Sequence, residues 1–326
     1  MKRLVYVAFL FLAITTVGFA QESEHTCDDL AFEGVAGEMV FRNLRTDERF
    51  TSTLPYAPGT RGFAAPSVFY SIDATETADS LGLFRLTSDH DDRELLYVFP
   101  EKWEFVVTSL SPDGTKLAIS RSSRGDQPLE YGAAIGIYDL ERNLPPEQFS
   151  EISAFGGILT GFTALALTWS PDGEYLAATL LPTGPEEEIH ILSADCILSG
   201  EAVCESTAIE SSPARGQVFP TWSPDSERLA FICYGTGVCI WDSVDGEIHT
   251  YPTTPDLRTL YWSPCSGQLY GWLEEQDGER LSLVEITIDG TTLSIGDTIV
   301  SSPQNGLAGL ITLPSGELPV WLALRP

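Results

Sequence analysis

Leu110-Ser-Pro-Asp-Gly-Thr-Lys-Leu-Ala-Ile119 returns as Trp169-Ser-Pro-Asp-Gly-Glu-Tyr-Leu-Ala-Ala178 and again as Trp222-Ser-Pro-Asp-Ser-Glu-Arg-Leu-Ala-Phe231. The phrase degenerates to Trp262-Ser-Pro-Cys-Ser-Gly-Gln-Leu-Tyr270 and leaves a last echo in Leu313-Pro-Ser-Gly-Glu-Leu318. Its prolines stand at 112, 171, 224, 264 and 314, in steps of 59, 53, 40 and 50 residues. Recurrence at such a period marks a repeat architecture in which each unit buries its apolar face on its neighbours.

The apolar run before each phrase, such as Leu165 to Trp169, reads as one strand, and the Leu-Ala-Phe type run after it as another. Between them proline presets φ at the second turn position, while Asp and Gly accept the turn's unusual backbone angles. Apolar residues on both sides of this hairpin predict a strand pair buried on both faces. The Trp or Leu before the serine then packs between stacked sheets. Two further strand-like runs follow each hairpin. In the fifth unit they are Gly237 to Trp241 and Glu247 to Tyr251; in the fourth, Glu188 to Ser193 and Cys204 to Ile209. In the third they are Ala134 to Leu140 and a short run near Gln148. In the sixth, Leu281 to Ile288 and Thr291 to Val300 flank an Asp289-Gly290 turn, a strong hairpin signal. Four such strands per unit make the blade of a propeller.

An earlier unit lacks the phrase but keeps the rhythm in Ser67 to Ile72, Leu81 to Leu86 and Arg93 to Phe99. The ends supply two strands each, Glu38 to Asn43 with Arg49 to Thr53, and Leu307 to Leu313 with Glu317 to Leu324. Two halves make one blade, so the reading is a single all-β domain over 35–326, a six-bladed β-propeller of four-stranded antiparallel blades. Pairing of its N- and C-terminal strands closes the ring and removes exposed edges. Residues 21–34 are left as an N-terminal arm.

Residues 1–20 read as a secretory signal peptide. Lys2 and Arg3 precede an apolar stretch from Leu4 to Ile14, and the small residues Gly18 and Ala20 stand third and first before a cut ahead of Gln21. The alternative is an uncleaved anchor, although the stretch is short for a membrane span. Export implies a secreted, periplasmic or cell-surface protein with no further membrane insertion. Cleavage leaves 306 residues, or 51 per blade, and removal of Lys2 and Arg3 takes the formal charge from −29 to −31. So acidic a surface repels phosphate backbones and anionic headgroups, which excludes nucleic acid as an expected partner.

Six cysteines in an oxidising compartment predict disulfides. Cys233 and Cys239 flank a glycine-containing turn, Cys196 and Cys204 a loop of similar size, and elimination leaves Cys27 with Cys265. A metal site is the competing reading, but the spacings match no zinc pattern.

The recurring phrase resembles the TolB-type, WD-like propeller repeat: an aromatic, Ser-Pro-Asp-Gly, a variable pair, then Leu-Ala-Phe. By blade counting the resemblance covers nearly all of the mature chain. It implies a disc with a central channel and loop-built faces suited to binding. There is no room for TolB's N-terminal α/β domain or for the hydrolase domain of prolyl-oligopeptidase relatives. The repeat serves many unrelated proteins, so it speaks to fold and not to task.

Catalytic signatures are missing. No serine has the flanking glycines of a nucleophile elbow, and no phosphate loop or dinucleotide fingerprint occurs. His190 and His249 fall in predicted strands, His25 in the arm, and His90 in the acidic turn Asp89-His-Asp-Asp92, where neighbours in a turn rarely converge on one cation. Acidic runs such as Glu186-Glu-Glu188 read as solvated loop edges. No catalytic residue, cofactor or metal is expected.

One pattern stands out. Among only sixteen basic residues of the mature chain, Arg61, Lys102, Arg215 and Arg258 each fall just before the innermost strand of a blade. Together they would form a cationic ring at one channel mouth, able to hold a carboxylate. The competing reading pairs each with a neighbouring acid on the rim. The functional expectation is a monomeric, non-catalytic binding or scaffold propeller for a protein, a peptide or a small anionic ligand. The alternative is a glycan-active hydrolase or lyase with its site in the channel.

Overall fold

A computed structural model describes residues 27–35, 38–52, 61–65, 68–74, 80–86, 94–99, 103–123, 134–146, 149–154, 157–158, 163–181, 187–209, 216–253, 257–275, 278, 280–303 and 308–314. Most of them lie in strands.

The chain opens with β1 (Cys27–Val35), β2 (Glu38–Asn43) and β3 (Arg49–Ser52). The second unit is β4 (Arg61–Ala65), β5 (Val68–Ala74), β6 (Leu81–Leu86) and β7 (Glu94–Val98). The third is β8 (Trp103–Leu110), β9 (Lys116–Ser123), β10 (Ala134–Asp139) and β11 (Ser150–Ala154), with the short β12 (Gly157–Ile158) beside β11. The fourth is β13 (Thr163–Trp169), β14 (Tyr175–Leu181), β15 (Glu188–Ser193), one helical turn α1 (Ala194–Leu198) and β16 (Val203–Ile209). In the fifth stand β17 (Gln217–Trp222), β18 (Arg228–Cys233), β19 (Gly237–Asp242) and β20 (Ile248–Pro252). The sixth holds β21 (Leu257–Trp262), β22 (Leu269–Glu274), β23 (Arg280–Asp289) and β24 (Thr292–Pro303), and β25 (Ala308–Pro314) ends the described chain. Within each unit the strands run antiparallel in chain order, apart from the first, ordered β25-β1-β2-β3.

That first unit differs from the sequence reading. The expected arm contributes β1, which pairs with β25 from Cys27↔Pro314 to Glu33↔Ala308. Among the described residues the N-terminal segment thus supplies three strands of this sheet and the C-terminal segment one, where two and two were expected. The reason is composition: Leu30-Ala-Phe32 carries the apolar residues of a paired strand, but the acidic residues around it, Asp28, Asp29 and Glu33, disguise the pattern. Glu317 to Leu324 lies outside the described residues, as does the run near Gln148; the fourth strand of that unit begins at Ser150.

The recurring turn works as a hydrogen-bonded knot. Ser111 Oγ and Ser170 Oγ each donate to the carboxylate two residues on, at 2.5 Å, and Ser223 does the same with Asp225. Each serine also accepts the backbone N–H that opens the next strand, at 2.9 Å. Gly114 and Gly173 take positive φ, and where the third copy has serine instead, Ser226 is held at φ 61°.

Apolar faces stack unit on unit. Trp169, Trp222 and Trp262 are buried, as the packing reading required. Clusters join the third unit to the fourth around Leu176 and Ile135, the fourth to the fifth around Phe231 and Ile189, and the fifth to the sixth around Ile240 and Leu269. Trp169 crosses the first of these seams, its ring N–H donating to the Ser109 carbonyl at 3.0 Å. The third and fourth units are also joined at their outer edges, where β11 and β16 pair in parallel.

The sixth unit meets the first. Ser263 Oγ and Ser266 Oγ both donate to Asp29 Oδ2, at 2.6 and 3.0 Å. Ala31 packs with Tyr270, Trp272 and Leu283. Two expected disulfides are present, Cys196–Cys204 and Cys233–Cys239. Cys265 is disulfide-bonded as well.

Candidate functional site

The sixth unit leans on the fifth across an open cleft of about 460 Å3. Ile240 from β19, Trp262 from β21, and Leu269 and Ile286 from β22 and β23 line it. Arg228, the last residue of the fifth unit's Ser-Pro-Asp turn, lays its guanidinium 5.0 Å from the centre of the Trp262 ring. Asp225 Oδ2 stands 3.5 Å from the same guanidinium, so the cation is held from two sides. Tyr251 donates its hydroxyl to the Gly290 carbonyl at 3.4 Å and Gln268 its amide to the Ile286 carbonyl at 2.9 Å. Asp242 and His249 complete a polar rim. Polar and apolar groups line the cleft in comparable measure, and such a mixed lining with fixed polar groups suits an inserted side chain better than a free ion.

Of the expected cationic ring, the described side chains include one. Arg258 is the second residue of β21, at a bulge between Leu257 and Thr259, and is ion-paired with Glu274 of the adjacent strand. Arg61 begins β4, but its side chain lies outside the described residues, as do Lys102 and Arg215 altogether.

One feature escaped sequence reading, and one histidine falls in a strand as expected. Phe219 sits at the bulge of β17 with φ 55° and 38% exposure, an orientation a bulky residue seldom accepts. His190 is fully buried in β15, with Nδ1 2.9 Å from Ser206 Oγ and Nε2 3.3 Å from Glu188 Oε2. Burial pushes its pKa below the usual imidazole value, and the Glu188 carboxylate offsets only part of that. This is a structural histidine bridging strands; Ser206 in turn donates to the Ser153 carbonyl of the third unit at 3.0 Å. His249 lies in β20 at the cleft rim, while His25 and His90 fall outside the described residues. Among the described residues no three His, Cys, Asp or Glu side chains converge as metal ligands would, and no helix is long and apolar enough to cross a membrane.

No family model matches this sequence, and no curated protein matches it. Similar solved structures exist. TolB from Acinetobacter baumannii superposes with a TM-score of 0.59 at 15% identity over 86% of this chain, which spans 66% of the TolB chain. A chain of a nidogen/laminin complex gives 0.55 at 10% identity, covering 87% of this chain and 98% of its own. At these identities the likeness carries the fold alone: this chain is all-β, with the architecture of TolB-like β-propellers.

Proposed function

We propose that this chain is an exported, non-catalytic binding or scaffold propeller of six blades, closed by β25 against β1, that engages a protein or peptide through one face. The contacts from Ser263 and Ser266 to Asp29 support closure, since they tie the sixth unit to the first. They also bring β1, which starts at Cys27, alongside the turn that holds Cys265, which supports a third disulfide between those two cysteines. Disulfides and TolB-like neighbours accord with export.

The observation that carries the binding reading is the cleft between the fifth and sixth units, lined by both apolar and polar side chains with the Arg228 guanidinium fixed over Trp262. An anionic ligand at the channel mouth has less support, because Arg258 already has its carboxylate in Glu274. The test is a photo-crosslinking residue at position 268 in the cleft, with position 95 on the outer strand β7 as control, in the native extracellular fraction. A discrete adduct at 268 and none at 95 is expected. Glycan cleavage by the purified chain, abolished by changing one channel acid, would overturn the reading.

A further inference from the structure

In an antiparallel four-stranded unit, the connections from first to second and from third to fourth strand emerge at the same end. Across the third, fourth and fifth units these turns lie side by side. The Asp172 N–H donates to Ser226 Oγ at 3.0 Å, joining the fourth unit's turn to the fifth's. The Glu151 N–H donates to the Ala202 carbonyl at 2.9 Å, joining the fourth unit's outer connection to the third. One continuous face results.

Two properties concentrate on it. Five of the nine exposed large apolar side chains among the described residues belong to these turns: Leu144, Tyr175, Leu198, Val203 and Val244, the last 80% exposed. The same segments, 111–116, 139–144, 170–175, 193–203, 223–228 and 242–247, carry twelve carboxylates against three cations. Each of those cations stands within 4 Å of an aspartate of its own turn: Lys116 by Asp113, Arg142 by Asp139 and Arg228 by Asp225. The other nine carboxylates of these segments have no cation within the segments to balance them. Apolar groups are exposed at a cost, and studs grouped on one face mark an interaction surface.

We infer that the turn face of the third to fifth units docks a polypeptide that is cationic and carries apolar side chains. The inference rests on the binding reading above and adds the face and the partner's chemistry. Apolar studs supply contact area, while the surrounding carboxylates steer a basic partner and reject an acidic one.

The test uses the mature chain and three labelled 18-residue peptides: an amphipathic Lys/Leu sequence, its Glu/Leu counterpart and oligolysine. Fluorescence anisotropy reads affinity, and hydrogen exchange reads location. The Lys/Leu peptide is expected to bind and to protect the turns, with oligolysine about tenfold weaker and Glu/Leu silent. Leu198→Ser with Val244→Ser should weaken Lys/Leu binding about tenfold, whereas Leu95→Ser with Val98→Ser, on β7, should leave it unchanged. Equal binding by wild type and the turn variant, or equal binding of the Lys/Leu and Glu/Leu peptides, overturns the inference. If Lys/Leu binding fails while the adduct at position 268 persists, the turn face is wrong and the binding reading stands.

Discussion

Asp29 Oδ2 accepts from Ser263 Oγ at 2.6 Å although 234 residues separate the two. In the three intact phrases the serine finds its carboxylate two residues downstream, at Asp113, Asp172 or Asp225. The fourth phrase has Cys265 there instead. A carboxylate from the opposite end of the chain fills the same role and in doing so joins the sixth unit to the first.

Asp29 is therefore worth more than its local counterparts. It is buried, and Asp29→Ala leaves two hydroxyls without their charged acceptor, a loss of about 2–3 kcal/mol. Asp172→Ala, in an exposed turn, should cost roughly half as much. Urea unfolding followed by tryptophan fluorescence compares the two, and equal losses would contradict the bridging role.

Acid should loosen the turns. Burial pulls the Asp113 and Asp225 carboxyls upward, but their hydrogen bonds from serine and backbone, with Lys116 and Arg228 close by, outweigh it and hold both pKa values below 3.8. A depressed carboxylate contributes stability that is present above its unfolded-state value and is lost as pH falls through the folded one. The contribution thus fades below about pH 4. Thermal unfolding of Asp113→Asn with Asp225→Asn should show a flatter acid limb than wild type.

His190 acts in a higher window. Buried and neutral, it has its pKa pushed below 6.5, so its contribution is full above that value and declines as pH falls toward and through the folded pKa. His190→Gln should lower stability at pH 8 and reduce its slope between pH 7 and 5. A slope unchanged from wild type would rule out titration of this histidine in the fold.

Gly237 has no room for a side chain. Its φ is 139°, and a Cβ there would fall 2.3 Å from the Tyr251 carbonyl oxygen and 2.6 Å from the Thr253 nitrogen. Gly237→Ala should cost more than 2 kcal/mol, whereas Gly235→Ala, with φ 74° but open space, should cost about 1. Equilibrium denaturation of both variants checks the order.

Phe219 offers the opposite sign. Its left-handed backbone costs about 1–2 kcal/mol, and Phe219→Asn should recover part of that, raising the denaturation midpoint. Loss of stability instead would mean that the exposed ring packs better than its exposure suggests.

The blade unit was legible because its determinants are local. Ser-Pro-Asp-Gly fixes a turn by hydrogen bonds between residues two to five apart, and the flanking apolar runs fix the strands, so periodicity reads both. The first unit was harder. β1 is short of apolar residues on one side, and its partner β25 lies almost a full chain length away, so no window of sequence contains the pair. Of the cationic ring, Arg258 shows how position along a strand fails to reveal a neighbour: Glu274 sits beside it only through register.

By itself the sequence determined the class of fold, the repeating hairpin, the buried tryptophans and the two short-range disulfides, since each depends on residues a few positions apart. Only the tertiary structure decided that Asp29 stands in for a missing aspartate, that Arg228 covers Trp262, and that the turns of three units merge into one face. Those relationships join residues from different units, and their energies depend on distances that no local pattern encodes.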